Sequence, residues 1–393
     1  MVSTFPNNMP DQSTTSAEDH QPDVPCAPTD RKRILIIRPS ALGDVCRTVP
    51  ILCSLRESFP KAQIDWLVQD SFVDAVSAHP AVNKVIPFPR AAFSHFAVNP
   101  RILGQLLRWL GDLRRRKYDV VYDCQGLARS GFFTRYTGAP KRVGFRDARE
   151  GAFLGYTHRY RVDAVHTVDR MLGLLENDGI SISHDMRLYV TDEGEATWVT
   201  MRANLGLPDD SPYAVLAPTS RWLSKQWPGD RFKALIPHLF TRGFQHIVIV
   251  GSENERSQCG ELLGAIKQES HVHDLMGKTT IASLMATIAH SDLIIANDSA
   301  PIHMAVGFDR RYLALFGPTD PAKVGPYGGN RWVLRNVKNG NHFHHKDNSI
   351  GSTVMERISV EAVKERLDDL LAEKPLSCPQ NMPYRQAQAH HEM

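Results

Sequence analysis

Two doubly wound α/β units facing each other across a cleft are what this sequence predicts, on three observations. Short β-rich runs alternate with longer helical stretches along most of the chain. The alternation restarts after a polar interval near 181–212 that ends in Pro208-Asp209-Asp210-Ser211-Pro212. The 393 residues are also more than one core usually holds and enough for two.

In the first unit, Ile34–Ile37 is apolar without interruption and breaks at Pro39, as a strand buried on both faces does. Val45, Val49, Leu52 and Leu55 then follow at helical spacing, predicting a helix over Val45–Ser58. Ile64–Val68, Lys84–Ile86, Val120–Tyr122 and Arg142–Gly144 supply further strands, with helices near 71–78, 102–117 and 166–177. This gives a first Rossmann-like domain over 31–180 and a linker region over 181–212. The second domain, 213–374, repeats the pattern: strands at Tyr213–Ala217, His246–Val250, Leu293–Ala296 and Tyr312–Phe316, and helices near 230–240, 254–268, 280–289 and 301–306. A helix from Val360 to Leu371 closes it. Residues 1–30, rich in Ser, Thr, Pro, Asp and Asn with no apolar segment of the signal-peptide kind, and residues 375–393 are expected to be disordered tails.

Charged residues make up 23% and the hydrophobic set 42%, the balance of a soluble globular protein, and no run of about 18 apolar residues could span a bilayer. A net charge of +3 is too small to imply a nucleic-acid partner. Arg114–Lys117, and then Lys141, Arg142, Arg146 and Arg149, form basic clusters that read either as solvated helix ends or as contacts for an anionic acceptor or membrane surface. The six cysteines are scattered and show no CxxC pairing, which argues against a disulfide framework or zinc site and suits reduced cytosol.

Three loops at strand ends have the composition of a site. Ser40-Ala41-Leu42-Gly43-Asp44 lacks both the GxGxxG fingerprint and the P-loop, so neither hydride transfer nor NTP hydrolysis is supported. Asp44 there is a helix cap or a group aimed into the cleft. Asn297-Asp298-Ser299-Ala300-Pro301-Ile302-His303 follows a strand; Ser299 can cap and Pro301 suits a first helical turn, and the same helix end could hold a diphosphate. His303 is either a core histidine or a ligand contact. Thr219, Ser220 and Lys225, in the polar loop before Trp227-Pro228, could together clamp phosphate. His342, His344 and His345 lack partners at metal-ligand spacing and read as a surface loop.

Five collinear segments, "ILIIRPSALGDVCRTVPILCSLRESFPKAQIDWLV", "YDCQGLARSGFFTRYTGAPKRVGF", "HTVDRMLGLL", "KQWP" and "SDLIIANDSAPIHMAV…LALFGPTDPAKVGPYG", resemble glycosyltransferase family 9, the ADP-heptose:lipopolysaccharide heptosyltransferases, over about residues 33–372. The resemblance implies a GT-B fold, an acceptor site in the first domain, a sugar-nucleotide site in the second, and inverting transfer without a metal or other cofactor. By position it assigns Asp44 as general base and Lys225 as donor-phosphate lysine. Asp298, Ser299, Ala300 and His303 fall in the sugar-nucleotide loop, Thr219 and Ser220 at a phosphate-binding hydroxyl pair, and Glu255 near an acidic residue meeting the adenosine ribose. Gly43, Arg142 and Arg146 are the expected acceptor-side contacts. Ala300 stands where the family usually has glycine, and 341–355 lacks cysteines that many members carry.

The partners implied are an ADP-sugar, a lipid-linked glycan of the lipopolysaccharide inner core, and the cytoplasmic face of the inner membrane, touched peripherally. Two rival readings are a GT-B enzyme with another donor or an epimerase, and a non-catalytic nucleotide-sugar-binding protein, against which Asp44 argues.

Overall fold

The computed structural model describes residues 32–94, 98–266, 269–337 and 353–373. Its architecture follows from two parallel sheets. β1 (Arg33–Ile37), β2 (Gln63–Gln69), β3 (Lys84–Phe88), β4 (Val120–Asp123), β5 (Lys141–Phe145) and β6 (His158–Tyr160) lie in the order 3-2-1-4-5-6. β7 (Tyr213–Ala217), β8 (His246–Ile249), β9 (Val272–Asp274), β10 (Leu293–Asn297), β11 (Arg311–Phe316) and β12 (Val333–Arg335) lie in the order 12-11-10-7-8-9, which is the same winding repeated. Every pairing is parallel, and Ile34, Leu35, Ile36 and Ile37 are all buried, because helices cover both faces of the sheet. In this topology the strand order reverses between β1 and β4 and again between β7 and β10, and ligand crevices open at those points, outside the carboxyl ends of the strands.

The helix expected over Val45–Ser58 is two: α1 (Leu42–Cys46) and α2 (Val49–Ser58). Pro50 has no N–H to give Cys46, so the ladder stops at Arg47-Thr48 and restarts with proline in the first turn, where it costs nothing. Residues 49–55 of α2 are all buried, each large apolar one contributing roughly 1.5–3 kcal/mol. α3 (Pro100–Arg115) is capped by Asn99, whose Oδ1 accepts from the N–H of Arg101 at 3.0 Å. α4 (Ala128–Tyr136) and α5 (Thr167–Glu176) complete the first half. The segment expected near 71–78 is a 3-10 turn, Asp70–Ala75.

The interval 181–212, expected to be only a linker, contains α6 (Asp192–Asn204), capped by Thr191 and packed on α9 (Ile281–Ala289). α7 (Gly229–Thr241), α8 (Gly260–Ile266), α10 (Ala300–Gly307) and α11 (Pro321–Val324) fill the second half, and helix Val360–Ala372 closes it. The 254–268 helix begins as a 3-10 turn, Glu253–Cys259. One apolar cluster runs continuously from Ile34 and Leu52 through Met171 and Leu188 to Ile294 and Ile302, so the halves share a core. Among the described residues no helix is long and apolar enough to cross a membrane.

Candidate active site

α1 of the first half packs directly on α10 of the second, and a glycine makes this possible. A Cβ on Gly43 would lie 2.7 Å from Cδ2 of His303 and 3.4 Å from the Cα of Ala300. The two loops that follow the switch points thus meet. They enclose a cavity of about 540 Å³, a size suited to a small ligand, lined by Asp44 and Arg47 on one side and Lys225, Asp298, Ala300 and His303 on the other.

Asp44 sits in the first turn of α1 and its carboxylate accepts the N–H of Ala41 at 3.2 Å, so it does act as the cap the sequence allows. It is also gripped by two guanidiniums. Arg38, at the end of β1, reaches its Oδ1 at 3.1 Å, and Arg47, one turn along, bonds the same oxygen. Burial disfavours the charge on Asp44, but Arg38 and Arg47 outweigh it and hold the carboxyl well below the usual carboxylate range. Arg47 also donates from Nη1 to the carbonyl of Val324 at 2.7 Å, across the gap between the halves. Beside it, His166 Nε2 meets the carbonyl of Gly325 at 3.1 Å.

On the facing side Asn297, buried at the end of β10, accepts from the N–H of Trp227 at 3.0 Å and donates to the carbonyl of Pro218 at 2.7 Å. These bonds pin both ends of the 218–227 loop to the strand. Lys225, within that loop, then reaches Asp298 with an Nζ–Oδ2 distance of 2.6 Å, and Thr319 donates to the same oxygen at 2.6 Å. Burial would raise the Asp298 carboxyl, but Lys225 first and Thr319 after it bring it below its ordinary value. The pair stands at the N-terminus of α10, whose dipole adds positive potential. His303 is buried, its Nδ1 has no hydrogen-bond partner among the described residues, and burial followed by the Arg47 cation pushes its imidazole down to about 3. It is neutral at working pH.

Glu255 lines the same cavity, its Oε2 accepting from Ser252 Oγ at 2.7 Å and from Thr219 Oγ1 at 3.1 Å. Thr219 therefore spends its hydroxyl proton on Glu255 rather than standing free as one of a phosphate-binding pair. Ser220 and Ser299 line the cavity as expected.

Two expected acceptor contacts are not brought in. Arg142 lies early in β5, away from the strand's carboxyl end, and its guanidinium donates to the carbonyls of Gly155, at 2.8 Å, and of Ala139. It holds the backbone together. Arg146 is exposed just past β5 and does not line the cavity. The neighbouring Lys141 is paired with Asp178 at 2.5 Å, so part of that basic cluster is neutralised internally. His342, His344 and His345 lie outside the described residues.

Sequence reasoning assigned no role to Arg38, Arg47, Asn297 or Thr319. Arg47 left a local signal, its i,i+3 spacing from Asp44; Arg38 reaches Asp44 across the strand-to-helix turn, outside any helical spacing, and Asn297 and Thr319 act through contacts 21 to 79 residues away in sequence.

Comparison with known proteins gives the family and the fold. The description glycosyltransferase family 9 (heptosyltransferase) matches residues 106–352. The chain is 30% identical over 300 residues to lipopolysaccharide heptosyltransferase 1 of Pseudomonas aeruginosa, covering 75% of this chain and 81% of that protein. It is 26% identical over 355 residues to lipopolysaccharide heptosyltransferase 2 of Salmonella typhimurium, covering 87% and 99%. Among solved structures, the Escherichia coli heptosyltransferase WaaC with ADP superposes with a TM-score of 0.68 at 25% identity, covering 86% of this chain and 99% of that one. A glycosyltransferase family 9 member from Veillonella parvula has the same fold, with a TM-score of 0.75 at 22% identity, covering 87% and 98%. With two Rossmann-like sheets wound alike and this match over well over half its length, the chain is an α/β protein of GT-B type and belongs to glycosyltransferase family 9, the heptosyltransferases.

Proposed function

We propose that this protein transfers heptose from ADP-heptose to an acceptor of the lipopolysaccharide inner core, with inversion, the half around 31–180 receiving the acceptor and the half around 213–374 the donor. One observation carries the reading: the Asp44 carboxylate from the first half and the Lys225–Asp298 pair at the N-terminus of α10 from the second line a single cavity. The names of the relatives, lipopolysaccharide heptosyltransferases 1 and 2, supply the substrate class.

The acceptor oxygen forms a bond to the anomeric carbon while the bond from that carbon to the β-phosphate oxygen breaks, its electron pair leaving on ADP. The hydroxyl proton passes to Asp44. Because Arg38 and Arg47 keep Asp44 ionised, it is always ready to accept but is a weak base, so the proton moves late, once the attacking oxygen has become acidic. Lys225 and the N-terminus of α10 stabilise the charge developing on the diphosphate. The neutral His303 lines the cavity beside the Lys225–Asp298 pair and adds no charge of its own against the donor. Since the acceptor is lipid-linked, the enzyme works at the cytoplasmic face of the inner membrane and touches it peripherally.

The test is to incubate the purified protein with ADP-heptose and heptose-deficient core lipid, following ADP release and analysing the product, with other nucleotide sugars in parallel. Asp44→Ala is expected to bind ADP and release none from ADP-heptose. Undiminished turnover of this variant refutes the base assignment, and product from a different nucleotide sugar refutes the donor.

A further inference from the structure

We infer that the outer face of α3 and α4 is the surface by which this protein rests on an anionic bilayer, which deepens the membrane contact proposed above and rests on that reading. Four of the large apolar side chains the fold leaves exposed fall in this one region: Val98 at 81%, Leu103 at 40%, Leu107 at 53% and Phe132 at 50%. Leu103 and Leu107, four apart on α3, point the same way, and Val98 stands just ahead of the helix cap. α3 and α4 pack side by side, with Trp109 and Phe133 edge to face at 5.2 Å between them. Nothing of the described chain covers α3 on this side at Gly104 or Gly111, where an added Cβ would meet no atom within 4 Å.

The charge around these apolar tips is mainly positive, although Glu150 accepts the N–H of Ala128 at the start of α4 at 3.2 Å. α3 and α4 together carry six arginines and a single acid, Asp112, which is paired with Arg115. Arg101 and Arg108 are exposed beside the leucines, and Arg129 and Arg135 flank Phe132 at helical spacing. Isolated apolar tips between arginines, without a groove, form an amphipathic face of the kind that lies in the headgroup layer of an anionic membrane. A protein partner would be expected to meet a larger, contiguous apolar patch with fewer charges at its centre.

The position suits a lipid-linked substrate. Each crossover helix of a parallel sheet runs back against its strands, so α3 and α4 begin at the carboxyl ends of β3 and β4, the end at which the cavity opens. An acceptor whose lipid stays in the bilayer would then present its sugars beside the mouth of the site. The basic cluster at 141–149 is the weaker candidate, since Lys141 and Arg142 are already engaged internally.

The experiment is sedimentation of the full-length protein with vesicles of phosphatidylethanolamine and phosphatidylglycerol, against vesicles of phosphatidylcholine, over a salt series. Wild type is expected to bind the anionic vesicles and to be released by salt. Leu107→Glu with Phe132→Glu is expected to lower the partition coefficient at least about tenfold, because charge at the apolar tips removes the buried area that sets partition. Val199→Glu, at an equally exposed apolar site in the other half, is expected to leave it unchanged. Turnover of a delipidated acceptor should be the same for all three proteins, so its absence even in wild type would indict the proposed activity rather than the surface. Equal vesicle binding by wild type and the double variant overturns the inference. So does wild-type binding that ignores lipid charge, or self-association of wild type that the double variant abolishes.

Discussion

Replacing Arg47 by methionine keeps most of the buried stem and removes its cation. The guanidinium bonds Asp44 and, at 2.7 Å, the carbonyl of Val324 in the opposite half. Hydrogen bonds to charged groups contribute about 1.5–3 kcal/mol each, so two set a ceiling of about 3–6 kcal/mol. Burying a guanidinium costs several kcal/mol that methionine does not, which brings the expected loss of stability to ~2 kcal/mol. The effect on Asp44 is separate. A unit charge about 4 Å away is worth about 4 kcal/mol at an effective dielectric of 20, and Arg38 at 3.1 Å, together with water at the one-quarter exposed carboxylate, reduces this to ~1–2 kcal/mol. At ~1.4 kcal/mol per pH unit, the acid limb of kcat/KM therefore moves toward neutral by about one unit, because a carboxyl with less cationic support protonates at higher pH. Urea unfolding and the pH dependence of ADP release measure the two effects. Arg47→Lys should recover most of the pH limb and little of the stability, since an ammonium cannot span both partners. An unmoved acid limb, together with stability within about 0.5 kcal/mol of wild type, a change typical of an inconsequential surface site, would refute the account of Asp44.

Three further outcomes follow from the same geometry. Gly43→Ala puts a Cβ 2.7 Å from buried His303, so the halves must part, with a stability loss of ~1–3 kcal/mol and a fall in kcat of about a hundredfold while ADP binding is largely kept; a normal kcat would show the interface to be soft. Lys225→Ala should weaken ADP binding in calorimetry by roughly 10–100-fold, the worth of one charged hydrogen bond, and an unchanged affinity would remove Lys225 from the donor site. Burial holds His79 and His273 near 4 and His303 near 3, against an ordinary 6.5, so the unfolded chain takes up their protons first as pH falls. Stability is then lost below about pH 6.5, each histidine adding ~1.4 kcal/mol per pH unit until its folded-state value is reached, and His79→Asn should flatten the unfolding-versus-pH slope by one such share.

Strands buried on both faces could be read from the chain, because Ile34–Ile37 of β1, all of β7, Leu293–Ala296 of β10 and Tyr312–Phe316 of β11 are apolar at every position. β6, β9 and β12 could not: each is three residues long and sits at the outer edge of its sheet, where His158-Arg159-Tyr160 or Val272-His273-Asp274 presents neither a run nor an alternation. α4 was missed for a related reason, since Ser130 and Gly131 face the core where a helical pattern would show large apolar residues.

The sequence by itself determined the two repeated α/β units and the loops that bear Asp44, Lys225 and Asp298, since strand ends and helix starts carry local composition. Only the tertiary structure decided what those groups are bonded to. Asp44 is held by Arg38 from the end of β1 and by an arginine that also reaches Val324, while Lys225 is set against Asp298 by way of Asn297. The pairing of Lys225 with Asp298 and the close approach of Gly43 on His303 depend on distances through space, which the winding of two sheets and the packing of α1 on α10 fix, and which no spacing along the chain encodes.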